Sequence, residues 1–144
     1  MAHQTMLAFG YPDSLVAESA HWTVQLRPQQ VTAGCLVLIC KAEAISLGAI
    51  APEAGAELPA LVAAIEQTLR AAFGAEKFNY LALMMVDPHV HFHVIPRYGA
   101  AVQVAGAAIP DPGWPGAPDL KAAADLTTAQ MAALQAEIRA HWPD

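Results

Sequence analysis

Positive charge is scarce in this chain. Seven Lys and Arg stand against thirteen Asp and Glu, a net charge of −6 over 144 residues. That excludes the basic face a general nucleic-acid-binding surface requires. Charged residues of either sign make up only 14% of the chain and hydrophobic ones 56%, the reverse of the balance that keeps a chain disordered. Long apolar runs are missing too. None approaches the ~20 residues of a membrane-spanning helix, and the opening MAHQTMLAFG lacks the charged start and apolar centre of a secretory signal. The only two cysteines, Cys35 and Cys40, stand five positions apart in one apolar run. On a strand they point to opposite faces, too far apart to bridge. Two reduced thiols suit a cytoplasmic protein. A small anionic ligand, held locally by backbone donors and imidazoles, stays open.

The length is that of one domain. Residues 14–26 read as one or two strands after an irregular start, and CLVLIC, 35–40, reads as a buried strand. Leu58, Leu61, Val62, Ile65 and Leu69 form an apolar stripe at helical spacing within 52–76, with Gly74 as the stop. Pro59 interrupts that pattern, because it lacks an amide hydrogen. Either the main helix starts near Leu58 or 52–56 is a separate turn. FNYLALMMV (78–86) and HVHFHVIPR (89–97) read as two strands joined by a tight hairpin at Asp87 and Pro88. Residues 99–125 are Gly-, Pro- and Ala-rich and read as irregular, and 127–141 as a closing helix with Met131, Leu134 and Ile138 on its apolar side. Strands and helices do not alternate, so the expected class is α+β with an antiparallel sheet.

Six histidines occur in the chain, and half of them fall at alternate positions within five residues: His89, His91 and His93. On a strand these share one face, at about 6.6 Å per step, while Val90, Phe92 and Val94 face a core. Three uses compete. The bland one is a set of surface or satisfied core residues. The second is metal binding, since alternate histidines supply ligand pairs to zinc. A row spanning about 13 Å does not converge on one tetrahedral ion, so Asp87, Cys35 or His21 would have to complete it. The third is nucleophilic attack on phosphorus. A neutral imidazole is competent near pH 7, and a phosphorylated nitrogen divides one hard displacement into two easier ones. The nucleophile needs one bare nitrogen, so its other nitrogen should donate to a fixed acceptor such as a backbone carbonyl. Flanking imidazoles can donate to phosphate oxygens.

HVHFHVIPR (89–97) resembles the signature of the histidine triad family, His-φ-His-φ-His-φ-φ with φ apolar, and its Pro-Arg ending is similar to the diadenosine polyphosphate hydrolase branch. AGCLVLICK (33–41), the helix and FNYLALMMV follow in the family's order. The resemblance covers about 14–98 as the core of one domain spanning 1–144, with 99–144 as a C-terminal extension. It implies an antiparallel half-barrel sheet with a packed helix, dimerised with a second copy. It also implies a nucleotide substrate, a nucleoside 5′-phosphate joined to a leaving group through a phosphoanhydride or phosphoramidate. His91 would carry the nucleotidyl intermediate, with His89 and His93 beside it, and no metal or cofactor would be needed. The rival expectations are a weakly catalytic nucleotide-binding protein and a metal-dependent hydrolase using the same histidines.

The family pattern is broken in three places. Cys35 stands where a fourth histidine is usual, the end of that strand reads Ile39-Cys40-Lys41, and Met85–Pro88 replace a Gly-Gln loop. Gln25 is the polar residue nearest the place where the family binds ribose. Asn79 has two readings, a contact to the site or a cap for the turn after Gly74. Arg97 likewise meets phosphate or is solvated. Trp114 covers the site or anchors its Pro-rich loop, and Trp22 with His21 stacks on a base or simply packs. His3 and His141, near the termini, are expected to face solvent.

Overall fold

The structure is a computed structural model and describes residues 1–143. It has an α+β architecture whose elements run α1 (Gln4–Ala8), β1 (Leu15–Glu18), β2 (Trp22–Leu26), β3 (Leu36–Cys40), a 3₁₀ turn at Leu47–Ala49, α2 (Pro52–Phe73), β4 (Lys77–Leu81), β5 (His91–Arg97), β6 (Val102–Val104), β7 (Ala107–Ile109) and α3 (Thr128–His141). Strands β1 to β5 form one antiparallel sheet in the order β1-β2-β3-β5-β4. No helix among the described residues is long and apolar enough to cross a membrane.

Alternation along the strands divides the sheet into two faces. Trp22, Val24 and Leu26 of β2, Leu36, Leu38 and Cys40 of β3, and Phe92 and Val94 of β5 join Ile65 and Leu69 of α2 in the main core. Leu134 and Ile138 of α3 belong to the same core. The opposite face carries Thr23, Gln25, Val37, Ile39, His91 and His93, and there Val37 and Ile39 pack against Met6 and Phe9 of the N-terminal segment. Cys35 and Cys40 lie in different clusters, both free and buried.

The turn from β2 to β3 needs its glycine. Gly34 has φ +86°, and a Cβ there would stand 2.8 Å from Leu69 Cδ2. Gln30 braces this turn, donating to the carbonyls of Arg27 and Cys35 and accepting from the amides of Gly34 and Cys35.

Helix α2 runs unbroken from Pro52 to Phe73, with Pro59 inside it, and ends at Gly74 in the left-handed conformation. No separate turn forms before Leu58. Tertiary ties hold the first two turns across the proline: Trp22 Nε1 donates to the Ala54 carbonyl at 2.8 Å, and Glu57 bonds the His21 amide and ring.

Strand β4 stops at Leu81, not at residue 86, and nine residues of irregular chain (82–90) replace the expected tight hairpin. Leu83, Met85 and Val86 are exposed in this loop, so their apolar character reads as strand in the sequence although no core receives them. The Gly- and Ala-rich stretch after β5 contains a hairpin, β6–β7, turned by Ala105 and Gly106, both with positive φ. That is the backbone a two-residue hairpin turn demands.

Arg97, at the end of β5, is 4% exposed and donates to both carboxylate oxygens of Asp111, at 2.7 and 3.0 Å. Its Nη1 also donates to Asn79 Oδ1 and to the Gly116 carbonyl, each at 2.8 Å. This pair ties the C-terminal segment to the sheet. Burial pushes the Asp111 carboxyl up, but hydrogen bonds from Arg97, the Tyr98 amide and the Gly113 amide outweigh it and hold the group below the usual carboxylate range.

Two outcomes are expected in urea unfolding. Pro59→Ala should raise stability by about 2–3 kcal/mol: it removes the ~3 kcal/mol penalty of an interior helical proline and gives back up to ~1 kcal/mol of unfolded-chain restraint. Asp111→Ala should cost about 3–5 kcal/mol at pH 7 by stranding a buried arginine. Because the native carboxyl titrates below its unfolded value, the contribution is complete above about pH 4 and is lost as pH falls through the native value, so wild type and variant should converge there.

Candidate functional site

The histidines meet the N-terminal segment. His91 and His93 lie on one face of β5, with ring centroids 5.0 Å apart and planes nearly perpendicular. His89 lies two residues before the strand begins, so the row of three is not one continuous ladder. Leaving the ladder frees its carbonyl, which accepts from His91 Nδ1 at 2.7 Å. The second nitrogen, His91 Nε2, has no hydrogen-bond partner among the described residues. Thr68 Oγ1 is the one sealed side-chain polar atom found without a partner among those residues, so Nε2 keeps an opening to solvent. The His91 residue as a whole is only 2% exposed. Phe9 covers it, with its ring 5.6 Å from the ring of His91 and 5.7 Å from that of His93.

His89 is pinned from below. Its Nδ1 lies 2.7 Å from Thr5 Oγ1, which also accepts the His89 amide. The His3 ring stacks on it with centroids 4.0 Å apart. His3 donates from Nε2 to the Cys40 carbonyl at 2.7 Å and accepts the Met6 amide on Nδ1, capping α1. It is 5% exposed, which corrects the expectation that it faces solvent. Burial and the neighbouring His3 lower the His89 pKa, with Glu43 opposing them.

His93 Nδ1 accepts a hydrogen bond from Arg27 Nε at 3.2 Å. The neutral ring therefore carries its proton on Nε2. Burial, the Arg27 charge and His91 push His93 down to about 4. Arg27 follows β2 on the histidine face and bonds the Gln29 carbonyl through Nη1 at 2.7 Å.

The other candidates from sequence lie elsewhere. Gln25 is fully buried, donating from Nε2 to the Met6 and Phe9 carbonyls and to Ser14 Oγ, and accepting from Thr23 Oγ1. It anchors the N-terminal segment and has no polar group left for a ribose. Asn79 and Arg97 are brought together, but by each other and Asp111. Arg97 is neither solvated nor free for phosphate, and Asn79 caps no turn. Both line a cavity of about 500 Å³ with Tyr80 and Trp114, beyond His93 over β4. Trp22 packs in the main core. No group of three or more His, Cys, Asp or Glu among the described residues is placed to hold a metal ion.

Sequence reasoning missed His3, Thr5, Phe9 and Arg27. Arg27 could have been found, because alternation from Thr23 through Gln25 puts it on the histidine face. The first nine residues carry no periodic pattern that would place them over β5.

No protein-family model matches the chain, and no curated protein is significantly similar to it. Solved structures do match. A histidine triad protein from Sinorhizobium meliloti 1021 is 21% identical over 98% of this chain and 96% of its own, with a TM-score of 0.74. A hypothetical histidine triad nucleotide-binding protein from Sulfolobus tokodaii is 20% identical over 89% of this chain and 82% of its own, with a TM-score of 0.68. A zinc-bound histidine triad family protein from Mycobacterium smegmatis is 20% identical over 92% of this chain and 88% of its own, with a TM-score of 0.57. The five-stranded antiparallel sheet, with its helices and its histidines on one face, is therefore the fold of the histidine triad proteins.

Proposed function

We propose that the chain is a member of the histidine triad family and a nucleotide hydrolase that releases a nucleoside 5′-phosphate through covalent His91. One observation carries the reading: His91 Nδ1 is held by the His89 carbonyl while Nε2 is bare. In the first step Nε2 attacks the α-phosphorus. A nitrogen–phosphorus bond forms, the bond to the leaving group breaks, and its electron pair departs with the leaving group. The ring becomes cationic, and the His89 carbonyl on Nδ1–H stabilises that charge. In the second step water attacks the same phosphorus, the electron pair returns to Nε2, one water proton goes to solvent, and the nucleoside monophosphate leaves. His93 faces the reacting phosphate with Nε2–H as a neutral donor. His89 serves through its carbonyl and, locked by Thr5 and His3, keeps that carbonyl aimed. The reading includes a homodimer and the diadenosine polyphosphate hydrolase-like branch of the family.

A second reading, a nucleotide-binding protein with little turnover, is favoured by the near-complete burial of His91 beneath Phe9.

AMP release from diadenosine polyphosphates and adenosine phosphoramidate, with and without chelator, tests both. Turnover should survive chelation and fall at least about a thousandfold in His91→Ala, as expected on losing a covalent nucleophile. Stoichiometric AMP binding without turnover would replace the first reading by the second. Turnover abolished by chelation would favour metal-dependent chemistry instead.

A titration of the imidazoles by NMR checks the donor role. His93 should stay neutral, protonated on Nε2, from pH 8 down to about 5, with a midpoint near 4. Its native pKa lies below the unfolded ~6.5. The unfolded chain therefore binds more protons between those values, and stability falls as pH falls through that window. His93→Gln should flatten part of that slope.

A further inference from the structure

Arg27 is a cation without an anionic partner among the described residues. Among the described residues no carboxylate lies within ion-pair distance of its guanidinium. Two of its five donors are engaged, Nε on His93 and Nη1 on the Gln29 carbonyl, and Nη2 has no hydrogen bond. The acid nearest in kind, the Cys35 thiol, is fully buried, and burial pushes it up, so it remains neutral. A guanidinium half out of water beside a neutral ring is poorly compensated. The braced turn holds it there: Gln30 fixes the Arg27 carbonyl, and the Arg27 amide donates to Cys35. The contacts run in a chain, from Arg27 to His93 to His91, whose ring stands nearly perpendicular to that of His93.

We propose that Arg27 binds the phosphate of the departing group and so selects substrates whose leaving group is anionic. The inference rests on His91 acting at the α-phosphorus. Leaving groups differ in what they need. An amine leaving from a phosphoramidate must receive a proton as the phosphorus–nitrogen bond breaks. A nucleoside phosphate leaving from a phosphoanhydride takes the electron pair on oxygen and needs only its negative charge met. His93, with Arg27 donating to Nδ1, is a poor proton source at neutral pH. The arrangement supplies a fixed cation and a neutral donor, and a phosphate leaving group uses both. A guanidinium meets phosphate oxygens in a paired geometry that a lysine does not reproduce.

The test uses inorganic tripolyphosphate as a probe independent of turnover, with Arg27→Gln and Arg27→Lys compared after thermal melts show both folded. Calorimetry should show tripolyphosphate binding weakened about tenfold to a hundredfold in Arg27→Gln and partly recovered in Arg27→Lys. The ratio of kcat/KM for diadenosine tetraphosphate to that for adenosine phosphoramidate should fall about tenfold in Arg27→Gln. Equal tripolyphosphate affinity in wild type and Arg27→Gln overturns the proposal, whatever the enzyme hydrolyses. So does an equal loss on both substrates, which would leave Arg27 only a support for His93. If wild type turns over neither substrate while tripolyphosphate binding still depends on Arg27, the hydrolase reading fails and the anion site stands.

Discussion

Strand β5 has to satisfy two environments at once. It lies between β3 and β4, hydrogen-bonded on both edges, so its register is fixed and its side chains alternate without freedom. Phe92 and Val94 enter the helix-backed core, and His91 and His93 are driven to the other side. A one-residue slip would exchange the sets, placing imidazoles in the core and aromatic bulk on the site. The packing of α2 against one face is therefore what holds His91 and His93 on the other. The long helix positions the histidine face without touching it.

On the histidine face the electrostatics are as ordered as the packing. His89 and His93 are both lowered by burial first and by neighbouring basic groups second. Arg27 is the charged group that sets the tone there, and it acts twice, fixing the tautomer of one ring and leaving donors over. The buried Arg97–Asp111 pair at the far end of β5 is the opposite case: a fully compensated arginine, with its donors taken by Asp111, Asn79 and Gly116. Two arginines on the same face of one sheet thus do different work, and the presence or absence of a carboxylate separates them.

Much of this is legible in the residues. Strict alternation from His91 to Val94 specifies the face, the i, i+3, i+4 pattern from Leu58 to Leu69 specifies the helix, and Gly74 its stop. The bare nitrogen of a histidine nucleophile, with its partner on a backbone carbonyl, follows from chemistry before any coordinates. What stays hidden is hidden for physical reasons. The exposed Leu83, Met85 and Val86 imitate a strand, because local pattern carries no information about whether a core exists to receive them. Gln25 and Arg97 look like ligands because polar residues on a functional face are ambiguous. Only the positions of Met6, Phe9 and Asp111, distant in sequence, reveal that their donors are already committed. The reverse error concerns His3 and Thr5, which look like a loose terminus and form one wall of the site.

That wall has a kinetic consequence. The hydrogen bond between Thr5 and His89 joins residues 84 positions apart. Contacts of such long range form late, after the loop between them has closed. During synthesis at ~5–20 residues per second, Thr5 is made about 4–17 s before its partner His89. Val37 and Ile39 of β3, the apolar residues that Met6 and Phe9 cover, are made well within that interval, but the histidines beside them are not. The histidine face is thus assembled from both ends of the synthesis, its first-made segment completed only when β5 is made.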